Sequence, residues 1–115
     1  MIDLHTHSTA SDGTCTPTEL VNAAKRGGLS AMALTDHDTI AGLSEGGEAA
    51  RAVDLLFVPG VELSAELPDG CLHIVGLWID QECSALQEAL HRMMAKRVER
   101  NVLIMEKLIA LGLPL

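Results

Sequence analysis

A chain of 115 residues with 48% apolar content, but one Trp, one Phe and no Tyr, can bury one modest core of aliphatic and Met side chains. Its net charge of −8 argues against binding duplex nucleic acid through a basic surface, and leaves room for a small anionic substrate whose charge is met by metal ions. Three cysteines, Cys15, Cys71 and Cys83, without CxxC spacing argue against a disulfide framework or a thiolate zinc knuckle, and no long apolar run suggests a membrane span, so a reduced cytoplasm is the expected setting.

In chain order, MIDLHTH alternates so that Asp3, His5 and His7 leave one face of a short strand. The loop STASDGTC follows. TPTEL then reads as a helix start, with Thr16 as N-cap, Pro17 at the first helical position and Glu19 closing a capping box, and Gly27-Gly28 ends that helix. LSAMALT (29–35) is a buried strand running directly into DHDT. A glycine-weakened helix is expected from Thr39 to about Ala52, then a third strand, LLFV (55–58), with Pro59-Gly60 turning the chain so that Glu62 follows closely. CLHIVGLWI (71–79) is a fourth strand, with His73, Val75 and Leu77 on one face and Cys71, a small buried hydrophobe by its setting, pointing the same way. A long helix from Ser84 to Leu111 is opened by a second capping box, Ser84 with Gln87, and closed by Gly112 and Pro114. Its apolar positions Leu86, Leu90, Met93 or Met94, Val98, Met105, Leu108 and Ile109 make one side core.

Strands alternating with helices imply a layered α/β fold of mostly parallel strands, whose functional groups collect at the strands' carboxyl ends. Asp12, Asp36, His37, Asp38 and Glu62 each follow a predicted strand, and His5, His7 and His73 lie within or just past one. Residues 1–80 carry a net charge of −9 and four of the five histidines, whereas residues 81–115 carry +1. Imidazole and carboxylate together suit Zn²⁺, Mn²⁺ or Fe²⁺ better than Mg²⁺ or Ca²⁺. Two imidazoles at i and i+2 on a strand can grip one ion, and a carboxylate such as Glu62 can bridge two. Several acids gathered at one rim repel unless cations neutralise them. Each feature alone has a plainer explanation: DHD as a helix-capping turn, Glu62 as a surface acid, His73 as a core histidine. Together they point to metal binding, whereas His91, in the long helix, reads as surface.

DLHTHSTASDGTCTPTE, TDHDT, PGVE and the histidine of CLHIVG resemble, in order and spacing, the motifs of the polymerase-and-histidinol-phosphatase (PHP) family of metal-dependent phosphoesterases. DHDT followed by PGVE is most similar to the branch that dephosphorylates nucleoside 3′,5′-bisphosphates and trims short RNA from its 5′ end. Carried over position by position, the resemblance makes His5, His7 and Glu62 ligands of one ion, Glu62 and His73 of a second, and Asp12 and His37 of a third. Asp36 and Asp38 become catalytic-support groups that orient His37 or accept a proton. The family fold is a distorted barrel of seven strand-helix units, so residues 1–80 are expected to be the N-terminal part of such a TIM-like (β/α)7 barrel and 81–115 a long helix opening a helical insertion. Such a barrel needs on the order of 200 residues or more, and the remaining ligands are expected from later strands.

The resemblance implies hydrolysis of a phosphate ester with two or three divalent ions (Mn, Zn or Fe), a hydroxide shared between them attacking phosphorus. The substrate would be a small phosphorylated molecule such as a nucleotide, or a short single-stranded nucleic acid. Arg97 and Arg100, at i and i+3 on the long helix, are candidates to hold its phosphate, or else form a solvated basic face balanced by Glu99 and Glu106. Ser8 and Ser11 sit in no G-x-S-x-G elbow and are not read as nucleophiles. Two alternatives stand beside this reading. One is an amidohydrolase-type enzyme using similar H-x-H chemistry. The other is a catalytically incomplete metal-binding module that forms homo-oligomers through open strand edges.

Overall fold

The computed structural model describes residues 1–68 and 70–113. Its elements are β1 (Ile2–Thr6), α1 (Pro17–Arg26), β2 (Ala31–Leu34), α2 (Leu43–Ala52), β3 (Leu56–Leu67), β4 (Gly70–Leu77) and α3 (Ser84–Ala110). The chain divides into two compact units, Met1–Gln81 and the segment from Glu82 onward. No helix among the described residues is long and apolar enough to cross a membrane.

The first unit is an α/β arrangement on one four-stranded sheet of order β1-β2-β3-β4. β1 and β2 pair in parallel, as do β2 and β3, each pair joined through a helix. β4 departs from the mostly parallel expectation: it runs antiparallel to β3, from Gly60 opposite Leu77 to Leu67 opposite Gly70. Only positions 68 and 69 separate those two strands, and a parallel return needs a crossover of a dozen residues or more.

α1 begins as its sequence requires. The Thr16 hydroxyl accepts the Glu19 N–H at 3.2 Å, and the Glu19 carboxylate accepts the Thr16 N–H at 2.9 Å, completing the capping box ahead of Pro17. Val21 of α1, Met32 of β2, Ala50 of α2 and Leu55 form a buried cluster, flanked by Leu20, Leu29, Val53 and Phe57, so both helices cover one face of the sheet. β2, flanked by β1 and β3, is buried at every position.

Four local expectations are corrected. Pro59-Gly60 makes no turn; β3 continues through it for a further seven residues to Leu67. Pro59 is the last residue paired with β2, where a missing N–H costs little, and its carbonyl accepts the Ile79 N–H at 3.2 Å. Gly60 is there for space, since a Cβ would stand 2.8 Å from the Gly76 carbonyl oxygen and from Thr35 Cγ2. The second helix starts at Leu43 rather than Thr39, because the Thr39 hydroxyl accepts the Ala41 N–H at 3.2 Å and closes a small turn first. α3 starts one residue early: Cys83 is the N-cap, without a side-chain bond, and Ser84 is already helical, so the Ser84–Gln87 capping box does not form. Along its apolar stripe Leu90 is buried, while Met94, Val98, Met105 and Ile109 are exposed. Gly112 closes α3 with a left-handed φ of 81°, and Pro114 lies outside the described residues.

The topology has one consequence for function. Two parallel crossovers bring the carboxyl ends of β1 and β2 to the same edge of the sheet, and β3 extends past that edge. We expect Thr16→Ala to lower stability by about 1 kcal/mol. Thermal denaturation should show that loss, with a two-state transition retained and helix content reduced by no more than one turn.

Candidate metal centre

β1 ends at Thr6, and the imidazoles of His5 and His7 leave the same side of the chain, with ring centroids 5.1 Å apart. β2 ends at Leu34 and hands over to Thr35, Asp36, His37 and Asp38, all buried except His37, which is partly so. This segment is stitched to β3 beyond the end of β2: the Glu62 N–H donates to the Asp36 carbonyl at 3.1 Å, and the Asp38 N–H donates to the Glu62 carbonyl at 2.9 Å. The ladder fixes His37 beside Glu62. From the other side of β3, Ser64 pairs with His73 of β4, so the His73 ring falls on the face that carries Glu62.

The result is a row of four imidazoles around one carboxylate. The rings of His7 and His37 stack with centroids 4.6 Å apart, and His37 meets His73 edge-on at 5.0 Å. Glu62, 4% exposed, aims its two oxygens differently: Oε2 is 2.6 Å from His5 Nε2 and 3.1 Å from His7 Nε2, whereas Oε1 is 2.8 Å from His73 Nδ1. Asp12 returns from the loop after β1, with its carboxylate 3.6 Å from His7 Nδ1 and 3.6 Å from His37 Nε2. Three sets of possible ligand atoms result, each within 4.8 Å: His5, His7 and Glu62; His7, Asp12 and His37; and His37, Glu62 and His73. All six residues singled out as ligands from the sequence are brought together, with His37 and His7 each serving two sets.

The donors fit divalent ions of borderline softness. Nδ1 of His7 and Nδ1 of His37 are buried without a hydrogen-bond partner, an arrangement that costs free energy unless something outside the protein satisfies the nitrogen. Burial pushes the Glu62 carboxyl upward, but hydrogen bonds from His5 and His73, and the charge of His37 and His5, outweigh it and hold the pKa below its ordinary value. A buried carboxylate kept ionised among nitrogens is what a bridging ligand requires.

Asp36 and Asp38 flank His37, and their carboxylates accept hydrogen bonds from different segments. Asp36 accepts the Ser8 N–H at 2.7 Å, the Ser8 hydroxyl at 2.8 Å and the Ser11 hydroxyl at 2.6 Å. Asp38 accepts the Ser64 N–H at 2.8 Å. Ser8 is fully buried and cannot meet a substrate. Arg97, partly buried, and Arg100, exposed, lie on α3 in the second unit. Cys71 is exposed, against the expectation of a buried hydrophobe, because β4 is the outermost strand on its side of the sheet. Sequence reasoning passed over Gly13 and Ser64. A Cβ at Gly13 would fall 2.2 Å from the His7 carbonyl oxygen, and the Asp12-Gly13 pair, a turn dipeptide, was the available signal. The Ser64 N–H donates to Asp38, a contact that any residue but proline could supply, so this bond leaves no mark in the sequence.

A family model described as "PHP domain" matches residues 3–107. A 5′-3′ exoribonuclease of Haemophilus influenzae is 45% identical over 112 residues, covering 97% of this chain and 41% of that protein. A 3′,5′-nucleoside bisphosphate phosphatase of Chromobacterium violaceum is 43% identical over 99 residues, covering 86% of this chain and 35% of that protein. A solved structure of an amidohydrolase from Chromobacterium violaceum, holding sulfate and no metal, superposes with a TM-score of 0.92 at 41% identity, over 97% of this chain and 39% of that one. The chain thus spans roughly two fifths of the length of these proteins.

The depressed Glu62 pKa gives the metal-free protein a signed pH dependence. A carboxyl whose folded pKa lies below its unfolded one adds stability that is complete above the unfolded value and is lost as pH falls through the folded value. Denaturant titrations without metal should therefore show wild type losing ground to Glu62→Gln on acidification below about pH 4.5, with no such relative loss between pH 6 and 7. A constant difference from pH 7 to pH 3 would contradict this origin of the shift.

Proposed function

The chain belongs to the PHP domain family, and from that premise we propose that it hydrolyses a phosphate ester with two or three divalent ions, Mn, Zn or Fe, held by His5, His7, Asp12, His37, Glu62 and His73. The observation that carries this reading is the Glu62 carboxylate, whose two oxygens each serve a different histidine set. Bound ions would supply charge neutralisation for phosphoryl oxygens and the acidification of a water nucleophile.

The chain's own residues do the rest. Glu62, buried and held ionised, lies between its two sets, and the four imidazoles supply nitrogen ligand atoms around it. No side chain is required as nucleophile: Ser8 and Ser11 are donors to Asp36, and Ser8 is sealed from solvent. Asp12 is exposed and reaches the cluster from a loop, which makes it the ligand most open to an approaching phosphate. Arg97 and Arg100 are proposed to meet the substrate phosphate, Arg being suited to paired hydrogen bonds with such oxygens.

The substrate class is inferred from the relatives: a nucleoside 3′,5′-bisphosphate or the 5′ end of a short RNA, both small or single-stranded, in keeping with the net charge of −8. We read the four strands as the beginning of a distorted seven-unit barrel, a reading supported by the two-fifths coverage of the relatives. An amide-hydrolysing activity is the second reading, favoured by the solved structure of an amidohydrolase that superposes on this chain.

We expect phosphate release from adenosine 3′,5′-bisphosphate with added Mn²⁺, lost on chelation and reduced at least a hundredfold in Glu62→Gln and His5→Ala. Equal rates in wild type and both variants would remove the metal assignment. Turnover of an N-acyl amino acid without phosphate release would favour the second reading. Bound Mn²⁺ with no turnover of either would favour a metal-binding module.

A further inference from the structure

The two aspartates around His37 look interchangeable in sequence, yet they are tied to different parts of the molecule. The loop from Ser8 to Gly13 is wound about the Asp36 carboxylate. Oδ1 accepts the Ser8 N–H and the Ser11 hydroxyl, Oδ2 accepts the Ser8 hydroxyl, and that hydroxyl in turn accepts the Ala10 N–H at 3.1 Å. The Ser8 carbonyl closes the loop by accepting the N–H groups of Ser11 at 3.1 Å and Gly13 at 2.9 Å. Asp12 lies between those two anchors, and it is the exposed carboxylate of the His7, Asp12 and His37 set. Asp36 is 2% exposed, and its carboxylate belongs to none of the ligand sets.

Asp38 reaches the other way. Its N–H is bonded to the Glu62 carbonyl, and its Oδ1 accepts the N–H of Ser64, the residue paired with His73 across β3 and β4. Its backbone is left-handed, with φ of 54°, a conformation that Asp and Asn tolerate better than other non-glycine residues. Asp38 is thereby linked to the register that puts Glu62, Ser64 and His73 on one face.

We propose that Asp36 and Asp38 are positioning residues with divided duties: Asp36 sets the ion site that includes Asp12, and Asp38 sets the ion site that includes Glu62 and His73. The proposal rests on the metal-binding reading of the cluster. Removing a hydrogen-bonded support behind a metal ligand costs about 10- to 100-fold in affinity. Division of duties predicts that each loss falls on one ion and spares the other.

The test titrates the intact chain with Mn²⁺ alone, counting bound ions by the loss of the free Mn²⁺ paramagnetic resonance and following broadening of the His5 and His73 ring signals. Asp36→Asn, and the milder Ser11→Ala should Asp36→Asn fold poorly, are expected to weaken one ion about tenfold or more, as Asp12→Ala does, while His5 and His73 broaden at wild-type Mn²⁺ concentrations. Adding Asp12→Ala to either should cost nothing further, since the two changes act on one site. Asp38→Ala should delay broadening of His73, and Asp38→Asn, which keeps an acceptor for the Ser64 N–H and the left-handed backbone, should restore it. Uniform weakening of all ions by either aspartate variant, or additive losses with Asp12→Ala, would overturn the division. Wild type binding no Mn²⁺ would overturn the metal reading beneath it and the proposal with it.

Discussion

A single buried carboxylate organises this fold's functional edge. Glu62 sits on β3 past the point where β2 has ended, and two backbone hydrogen bonds from the Asp36–Asp38 segment hold it there. With its carboxylate almost sealed from water, ionisation would be disfavoured were it not for histidine nitrogens on both of its oxygens. Every other feature of the edge follows from keeping those nitrogens in reach: the i, i+2 spacing on β1, the strand extension of β3, and the antiparallel return of β4.

Mixed sheet topology is what makes the convergence possible. Three parallel strands deliver their carboxyl ends to one edge, but a fourth parallel strand would have arrived only after another crossover. The hairpin from β3 to β4 instead folds His73 directly back over Glu62, two pairing positions from the Glu62–Val75 pair, where same-face neighbours naturally meet. The crowding this creates is relieved at Gly60, where a Cβ would strike the Gly76 carbonyl, and in the loop after β1 Gly13 likewise leaves room for the His7 and Ser8 backbone.

The cluster of imidazoles and carboxylates and the two aspartates beside it form two layers with different chemistry. The inner layer is a set of nitrogen and oxygen groups, two of whose buried nitrogens, Nδ1 of His7 and of His37, lack a hydrogen-bond partner. The outer layer is saturated: Asp36 alone accepts three hydrogen bonds. In the proposed reading, a cation would satisfy the nitrogens that the protein leaves without a hydrogen bond, while the aspartates beside them already have partners. Phosphoester chemistry, as proposed, would draw on the inner layer and leave the outer one unchanged.

From the sequence, the six residues that converge at this edge, the α1 capping box, and the strands and helices themselves were legible, because imidazole spacing, capping residues and apolar runs are local signals. The strand direction of β4, the passage of β3 through Pro59-Gly60 and the start of α2 were not, since the first turns on the shortness of the β3–β4 link, the second on the approach of Gly76, and the third on the Thr39 hydroxyl competing for the Ala41 N–H. Likewise DHD announced chemistry around His37 without revealing that its two acids face apart. Residue type fixes which atoms can bind a cation or accept a proton; only the fold decides which of them share a space, because that depends on hydrogen bonds between segments up to 57 residues apart.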